Sequence, residues 1–460
     1  MQRLLAIAWL TLKAAFRFRL VMVLSVVLIG GVVLLPLVIK DDGTARGFTQ
    51  ILLTYTLTLI TALLGFATLW LACGTLARDV EEAQIQMVAV KPVARWQIWL
   101  GKWLGILALD AFLLALSAGA VFFLMQWRAR NLPPAQQTIL RNEVMVARAS
   151  AKEPVPDLTP AVEQELKRRL AANPDVTVTD FDFMRKQILE QLKASSQIVP
   201  PDHRREWKID LGASHTALRD QPLYLRTKFN IAEYATGRTY LGEWRVGEFN
   251  SPLQYQTNMS LAAETFHEFV VPPNLINADG TVTINFINRN ETALLFPLED
   301  GMEVLYRESG FGLNFARGVI IIFFWLALLA ALGLAAASFL SFPVAAFLAL
   351  GVLIIGLSSG IISLVLEQGT VFEVNHETGV ADKPAILDYV ALPFFRVLLH
   401  LINMVRGYSP IDFLSSGRSI TWGQLGLAFT QICLILSGVL AAIGMFIFTR
   451  RELASAQGNH

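Results

Sequence analysis

Long apolar runs constrain this chain more than any other feature, because each can cross the hydrocarbon core of a bilayer, which is about 30 Å thick. At 54% hydrophobic and 16% charged, the chain is too apolar for a soluble protein of 460 residues. We therefore predict an α-helical polytopic membrane protein. Its six expected transmembrane helices are Leu20–Ile39, Thr49–Leu76, Leu104–Met125, Gly318–Leu340, Phe342–Leu366 and Gln424–Phe448.

Cations near the ends of these runs predict their orientation. They precede the first span, fill the segment between the second and third, and follow the sixth as Arg450 and Arg451. The positive-inside rule then places both termini, including the tail 450–460, in the cytoplasm of a multi-pass protein of the cytoplasmic (inner) membrane. Residues 1–19 have one apolar and one basic face, which predicts an amphipathic helix lying in the interface. A cleaved signal peptide is the alternative, but no small-x-small cleavage site follows the first apolar run.

This orientation leaves residues 126–317 outside the cytoplasm, as an extracytoplasmic (periplasmic) domain large enough for its own core. Helical spacing predicts helices within 134–199. Residues 202–310 instead alternate with a period of two, with Val282, Ile284 and Phe286 on one face of a predicted strand. Recurring strand and turn signals predict a β-sandwich-like fold whose type, jelly roll or immunoglobulin-like, stays open.

A second segment, 367–423, is also expected outside. It contains an apolar face formed by residues such as Leu392, Phe395 and Leu398, but its apolar run lacks the length to span a bilayer. We therefore predict interfacial helices there, before the last span at 424–449.

The loop 77–102 between the second and third spans opens with acids, closes with cations and contains a Lys-Pro pair. Its candidate docking residues are Arg78, Asp79, Glu81, Glu82, Lys91, Pro92, Arg95 and Lys102. An acid-led helix, then Lys-Pro-x-x-Arg and Gly-Lys at the foot of the next span, resembles the coupling-helix region of ABC type-2 transporter permeases. The segments Gly417–Trp422 and Phe448–Leu453 are also similar to the corresponding regions of that family.

The resemblance implies a permease subunit of an ATP-binding cassette exporter, without cofactors of its own. The chain has no G-x-x-x-x-G-K-[ST] motif, because Gly101-Lys102 is followed by Trp103. We therefore expect no enzymatic activity in this chain, with ATP and Mg bound by two copies of a separate ABC ATPase subunit docked on the loop. Six spans per chain imply a second permease copy, as a homodimer or related heterodimer. Membrane lipids and an extracytoplasmic partner or substrate at 126–317 complete the expected partners, and no feature indicates nucleic acid.

Asp110 lies inside the third predicted span, where an ionised carboxylate is costly. It is either a relay or gate residue, or a structural acid that snorkels or is paired. The pairs Gly101/Gly105 and Gly356/Gly360 both match G-x-x-x-G, which can mark a helix contact with another subunit.

The remaining chemistry-bearing residues indicate no active site. The six histidines lack metal-ligand spacing, and Cys73 and Cys433 fall inside predicted spans, where they are expected to pack as small apolar residues. Two functions of another class stay open beside export. One is an ATP-driven mechanotransmission complex acting on an extracytoplasmic partner, and the other is a membrane-anchored carbohydrate-binding receptor.

Overall fold

The computed structural model describes residues 2–17, 20–38, 44–82, 93–130, 132–140, 144–172, 178–231, 238–248, 253–371 and 387–451. The chain divides into two compact units. One comprises Met1–Ala147 with Ser309–His460 and the other comprises Arg148–Glu308. We call them the membrane unit and the sheet unit.

The membrane unit is built from helices. They are α1 (Gln2–Arg17), α2 (Leu20–Val38), α3 (Ala45–Glu81), α4 (Arg95–Ala129), α5 (Pro134–Ile139), α9 (Phe311–Ala337), α10 (Phe342–Leu357), α11 (Ser359–Gln368), α12 (Asp388–Arg406), α13 (Pro410–Ser415), α14 (Trp422–Ala428) and α15 (Gly438–Arg450), with a π-helical stretch Phe429–Ser437 joining the last two. Local signals fix several starts. Thr44 caps α3 by accepting a hydrogen bond from the Gly47 amide at 3.0 Å, and Thr421 caps α14 together with Gln424.

Several of these helices are long and apolar enough to cross a membrane. Among the described residues there are five such candidates: Gly47–Glu81, Arg95–Ala129, Phe311–Ala337, Asp388–Arg406 and Trp422–Arg450. The bent pair α10 and α11 adds a sixth if it forms one broken span, with 56° between its halves. The chain is therefore a membrane-embedded protein with a separate β-sheet region.

The candidate spans differ from the predicted ones in two places. Helix α12 is long and apolar enough to cross a membrane, although we predicted this segment to be too short; its 19 residues extend roughly 28 Å. The argument from length that placed it in the interface is therefore wrong. Helix α2, predicted as the first span, counts only as a shorter apolar helix, Met22–Leu35, over the residues described.

Helix α9 forms the centre of the membrane unit. Of the five candidate spans it is the most enclosed, because 61% of its apolar 18-residue stretch is buried inside the chain. Gly333 on α9 lets α3 approach closely, because an added Cβ would meet the Ala72 Cβ at 2.7 Å and the Leu69 carbonyl oxygen at 3.0 Å. The Trp103 indole on α4 donates to the Ala327 carbonyl at 3.1 Å. Small residues and a tethered indole thus hold three helices together.

The sheet unit contains two four-stranded sheets and a short three-stranded one. Its elements are β1 (Val146–Lys152), α6 (Thr159–Ala172), α7 (Val178–Gln197), β2 (Ile198–Val199), β3 (Arg204–Asp210), α8 (His215–Leu218), β4 (Leu223–Thr227), β5 (Asn230–Ile231), β6 (Thr239–Val246), β7 (Tyr255–Ala262), β8 (His267–Val271), β9 (Thr281–Asn288), β10 (Leu294–Leu295) and β11 (Met302–Gly310). The strand orders are β1-β11-β4-β8, β3-β9-β6-β7 and β2-β10-β5.

The two larger sheets enclose one apolar core, as a sandwich does. Trp244 on β6 bridges them, with its ring centroid 5.7 Å from that of Phe269 on β8. The predicted inward face of β9 is confirmed, since Val282, Ile284 and Phe286 all lie in this core. For this strand, the period of two identified both the extended segment and its core side.

One part of the domain prediction is wrong. We predicted residues 134–199 as helical, but β1 lies within them and forms the edge of the first sheet beside β11. Its sequence VARASAK alternates alanine with polar residues but contains a single β-branched residue, and alanine favours strands weakly, so pairing with a distant strand is needed to select the extended form. Helices α6 and α7 do follow the predicted helical spacing.

Candidate functional site

The loop predicted as the docking site is described at both of its flanks. Helix α3 ends at Glu81, with Glu82 as its C-cap, and α4 begins at Arg95. Lys91 and Pro92 lie outside the described residues, as does the rest of 83–92. The geometry of the site therefore rests on the residues that lead into and out of the loop.

The first flanking contact joins α3 to α4. The Lys102 ammonium donates to Asp79 Oδ2 at 2.5 Å and to the Thr75 carbonyl at 2.8 Å. The Lys102 side chain is only 9% exposed. Removing the Asp79 carboxylate would leave the Lys102 ammonium poorly solvated, which destabilises more than the loss of a surface ion pair. The two helices that carry the loop are thus fastened to each other directly below it.

The second contact joins α3 to α10. The Phe342 amide at the start of α10 donates to Glu81 Oε1 at 2.8 Å, and the Arg78 guanidinium lies 4.5 Å from the centroid of the Phe342 ring. A carboxylate at a helix N-terminus satisfies an unpaired amide and complements the helix dipole. Two predicted docking residues therefore bind the first residue of a third helix.

The third contact joins α4 to the end of α15. Arg95 Nη1 donates to the carbonyl oxygens of Thr449 at 2.8 Å and Arg451 at 2.6 Å. Carbonyls at a helix C-terminus lack intrahelical donors, and a guanidinium there also favours the dipole. Arg451 in turn donates to the Ser338 carbonyl at 3.2 Å, just beyond α9.

Together these contacts connect five helix ends, those of α3, α4, α9, α10 and α15. We call this set the helix-foot cluster: Arg78, Asp79, Glu81, Arg95, Lys102, Ser338, Phe342 and Arg451. The sequence identified its members beside the loop but missed Ser338 and Phe342, because nothing local marks a residue that receives a contact from hundreds of positions away. Arg451 had been used for orientation and within the resembling segment Phe448–Leu453, but not as a member of the docking site. An open, apolar groove of 360 Å³ beside the cluster is lined by Trp96, Leu100, Met445, Phe446, Thr449 and Arg450.

Asp110 does not belong to the helix-foot cluster. It lies roughly four turns beyond Arg95, near the middle of α4, and it is 3% exposed. The Thr68 hydroxyl donates to Asp110 Oδ1 at 2.8 Å, and Oδ2 has no partner among the described residues. A side chain this deeply buried does not snorkel towards water, so that interpretation of Asp110 is wrong. A paired structural acid and a relay residue both stay open.

The first G-x-x-x-G pair has a partner within the chain. A Cβ added at Gly101 would meet Ile7 Cβ at 2.7 Å, and one added at Gly105 would meet the Ala8 carbonyl oxygen at 2.7 Å. This glycine pair therefore allows α1 to pack closely against α4. Because α1 covers this face of α4, another subunit cannot contact it. Gly356 and Gly360 have no atom of the described chain within 4 Å of an added Cβ.

In the parts of the chain that the structure describes, no group of three or more His, Cys, Asp or Glu side chains could hold a metal ion. What the helix-foot cluster can do is mechanical, since it links five helix ends through charged and backbone hydrogen bonds. No protein-family model matches the chain, and neither a curated protein nor a solved structure does.

Proposed function

We propose that this chain is the permease subunit of an ABC transporter that exports a substrate across the cytoplasmic membrane. A separately encoded ATPase would dock on the loop 77–102. The observation that carries the proposal is the helix-foot cluster: residues on the two sides of the loop bind the ends of α10 and α15, and Arg451 joins the end of α15 to that of α9. A force applied to the loop would reach all five helices at once, as coupling requires.

The proposal includes a topology and an assembly. Both termini and the helix-foot cluster would lie in the cytoplasm, with six spans per chain and the sheet unit outside. Two copies of the chain would enclose a pathway, and nucleotide-driven closure of two ATPases would switch it between inward and outward access. The sheet unit would receive or pass on the substrate.

The test is co-reconstitution in nanodiscs with the ATPase that copurifies with the chain. We expect Arg95→Glu to keep the complex but to lower stimulated ATP hydrolysis at least about fivefold, because the reversed charge repels the carbonyls at the end of α15. The double variant Glu81→Lys, Glu82→Lys should reduce copurification. Arg128→Glu, near the opposite end of α4, is the matched control and should behave as wild type. Wild-type assembly and stimulation in both test variants would reject the docking assignment.

Mechanotransmission is the second candidate, favoured by one observation. Strand β11 ends at Gly310 and helix α9 begins at Phe311, so no linker residue separates them in the chain. Insertion of a flexible Gly-Ser pair between these residues should abolish ATP-dependent action on an extracytoplasmic partner under this reading. Under the export reading, transport into vesicles should persist.

A further inference from the structure

A second polar feature of the membrane unit lies near the start of α9, where Arg317 is buried. The residue is 5% exposed, and its Nη1 donates to the Ile420 carbonyl at 2.7 Å. The Trp422 ring covers its guanidinium, with 4.4 Å between the guanidinium carbon and the ring centroid. Nε has no partner among the described residues, and Arg317 makes no ion pair there.

A guanidinium withdrawn from water needs acceptors or an anion to compensate its lost hydration. One carbonyl and one aromatic face compensate only part of the cost of withdrawing the ion from water. The bond from Nη1 also leaves the opposite edge of the guanidinium, Nε and Nη2, without an acceptor in the described chain. That edge is the fork that binds an oxyanion through two parallel hydrogen bonds.

The chain segment facing Arg317 is held in place and supplies another donor. The Asn314 side chain donates to the Arg418 carbonyl at 2.8 Å and accepts from the Ile420 amide at 2.7 Å. Between those residues lies Ser419, which is 6% exposed and whose hydroxyl has no partner among the described residues. Arg317 Nε and the Ser419 hydroxyl, which both lack a partner among the described residues, thus lie on two segments that Asn314 links by hydrogen bonds.

We propose that Arg317 and Ser419 form a binding site for a phosphate group, carried by a phospholipid headgroup or free in solution. Phosphate offers several acceptor oxygens in a tetrahedral arrangement, enough for the guanidinium fork and the hydroxyl together. Trp422 is 62% exposed at the first turn of a membrane helix, the depth at which tryptophan meets headgroups.

The test uses the full chain purified in a maltoside detergent, which carries no phosphate. Thermal unfolding is followed while phosphatidylglycerol, or inorganic phosphate against chloride at equal ionic strength, is titrated in. We expect the unfolding temperature to rise with a phosphate source, and diacylglycerol with the same chains to leave it unchanged. A shift with the lipid alone assigns the headgroup, and a shift with inorganic phosphate alone assigns the free ion.

The variants decide whether the named donors bind the phosphate. Arg317→Lys keeps the charge but lacks the fork, so the apparent affinity should fall about tenfold or more. Ser419→Ala should lower it about fivefold, and it also serves if the lysine variant fails to fold. Arg128→Gln removes an arginine that lies 6.0 Å from the Phe48 ring centroid and should change nothing. No shift with either source, or wild-type affinity in Ser419→Ala, overturns the proposal.

Discussion

Asp110 is a polar side chain buried within an apolar helix bundle. Its described partner is the Thr68 hydroxyl, which reaches only one carboxyl oxygen. An amide in the same position would keep an acceptor for that hydroxyl and would remove a charge that is costly to bury. The contact between α3 and α4 requires a hydrogen-bond acceptor at position 110. If the role of Asp110 is only structural, an amide oxygen would meet this requirement.

For this structural role we expect Asp110→Asn to match or exceed the wild type in denaturant unfolding in micelles. Thr68→Val leaves the carboxyl without its donor and should cost about 1–3 kcal/mol. Both variants would be measured against wild type in one detergent. A larger loss in Asp110→Asn than in Thr68→Val would show that the carboxyl group itself is required, as a relay residue would be.

Glu243 in the sheet unit predicts an acid-sensitive contact. Hydrogen bonds from Arg245, and then from Arg289, hold the pKa of the Glu243 carboxyl below its usual value. A depressed folded-state pKa contributes stability above the unfolded value of about 4.3, and that stability is lost as pH falls through the folded pKa. The protection of amides in β6 and β9, measured relative to the intrinsic exchange rate at each pH, should therefore fall in acid.

Glu243→Gln should remove much of this acid sensitivity while costing about 2 kcal/mol at neutral pH. Hydrogen exchange of β6 and β9 peptides in the full chain, between pH 7 and pH 3, measures both effects. Glu206→Gln is the control, because Glu206 is more exposed and its nearest cation lies 3.5 Å away. An unchanged acid response in Glu243→Gln would assign the sensitivity to other carboxylates.

At the scale of elements, glycine spacing determines where α1 lies. A Cβ at Gly105 would meet a backbone carbonyl oxygen at 2.7 Å, which no side-chain rotation can relieve. Gly105→Ala should therefore displace α1 and destabilise the membrane unit by about 1–3 kcal/mol. Gly119→Ala on the same helix has nothing within 4 Å in the described chain and should be neutral or slightly stabilising. Protease cleavage within residues 2–17 and unfolding in micelles would measure the difference; equal behaviour would contradict the packing.

Strand β1 shows that the sheet unit needs residues before its most regular strands. Arg148 on β1 forms an ion pair with Glu268 at 2.6 Å, and the Ser150 hydroxyl donates to Glu303 at 2.7 Å. We therefore expect a fragment 144–310 to be soluble and to unfold cooperatively. A fragment 202–310, which period-two alternation alone would select, lacks β1 and β2 and should aggregate or lose cooperativity. Circular dichroism and thermal melts compare them, and equal cooperativity would make β1 dispensable.

The elements that sequence predicted well are those whose signal is local. Apolar runs located the long helices, and alternation located β4 and β9 with their buried faces. The bend within the predicted fifth span, near Ser358, and strand β1 depend on packing that no short window contains. The site follows the same rule: Arg95 was identified from its neighbours in the loop, whereas its partners at the end of α15 are supplied by the fold.

At the scale of the whole molecule, the two flanks of the loop limit how force could travel. Glu81 accepts a hydrogen bond from the first residue of α10, and Arg95 donates to carbonyl oxygens at the end of α15. The described residues of the helix-foot cluster lie in helices or next to helix ends, so the cluster is a compact junction of helix ends. Such a junction suits either export or mechanical transmission, and both require the loop and the sheet unit to face opposite compartments.

That requirement gives a direct test of topology. In a chain with Cys73→Ala and Cys433→Ala, a cysteine replacing Ala278 lies on an exposed turn before β9, beside Asn277, and one replacing Glu82 lies at the exposed end of α3. An impermeant thiol reagent should label the first in intact spheroplasts and the second only after permeabilisation, because the cation bias places the loop inside.

Labelling in the permeabilised sample controls for accessibility, since both cysteines must react there. The reverse pattern would place the sheet unit in the cytoplasm and would leave the helix-foot cluster out of reach of any cytoplasmic ATPase. Labelling of both sites in intact cells would place Glu82 and Ala278 on the same side of the membrane. An even number of spans would then separate them, and not the single span α4. In that case α4 would not cross the membrane, despite its 35 residues.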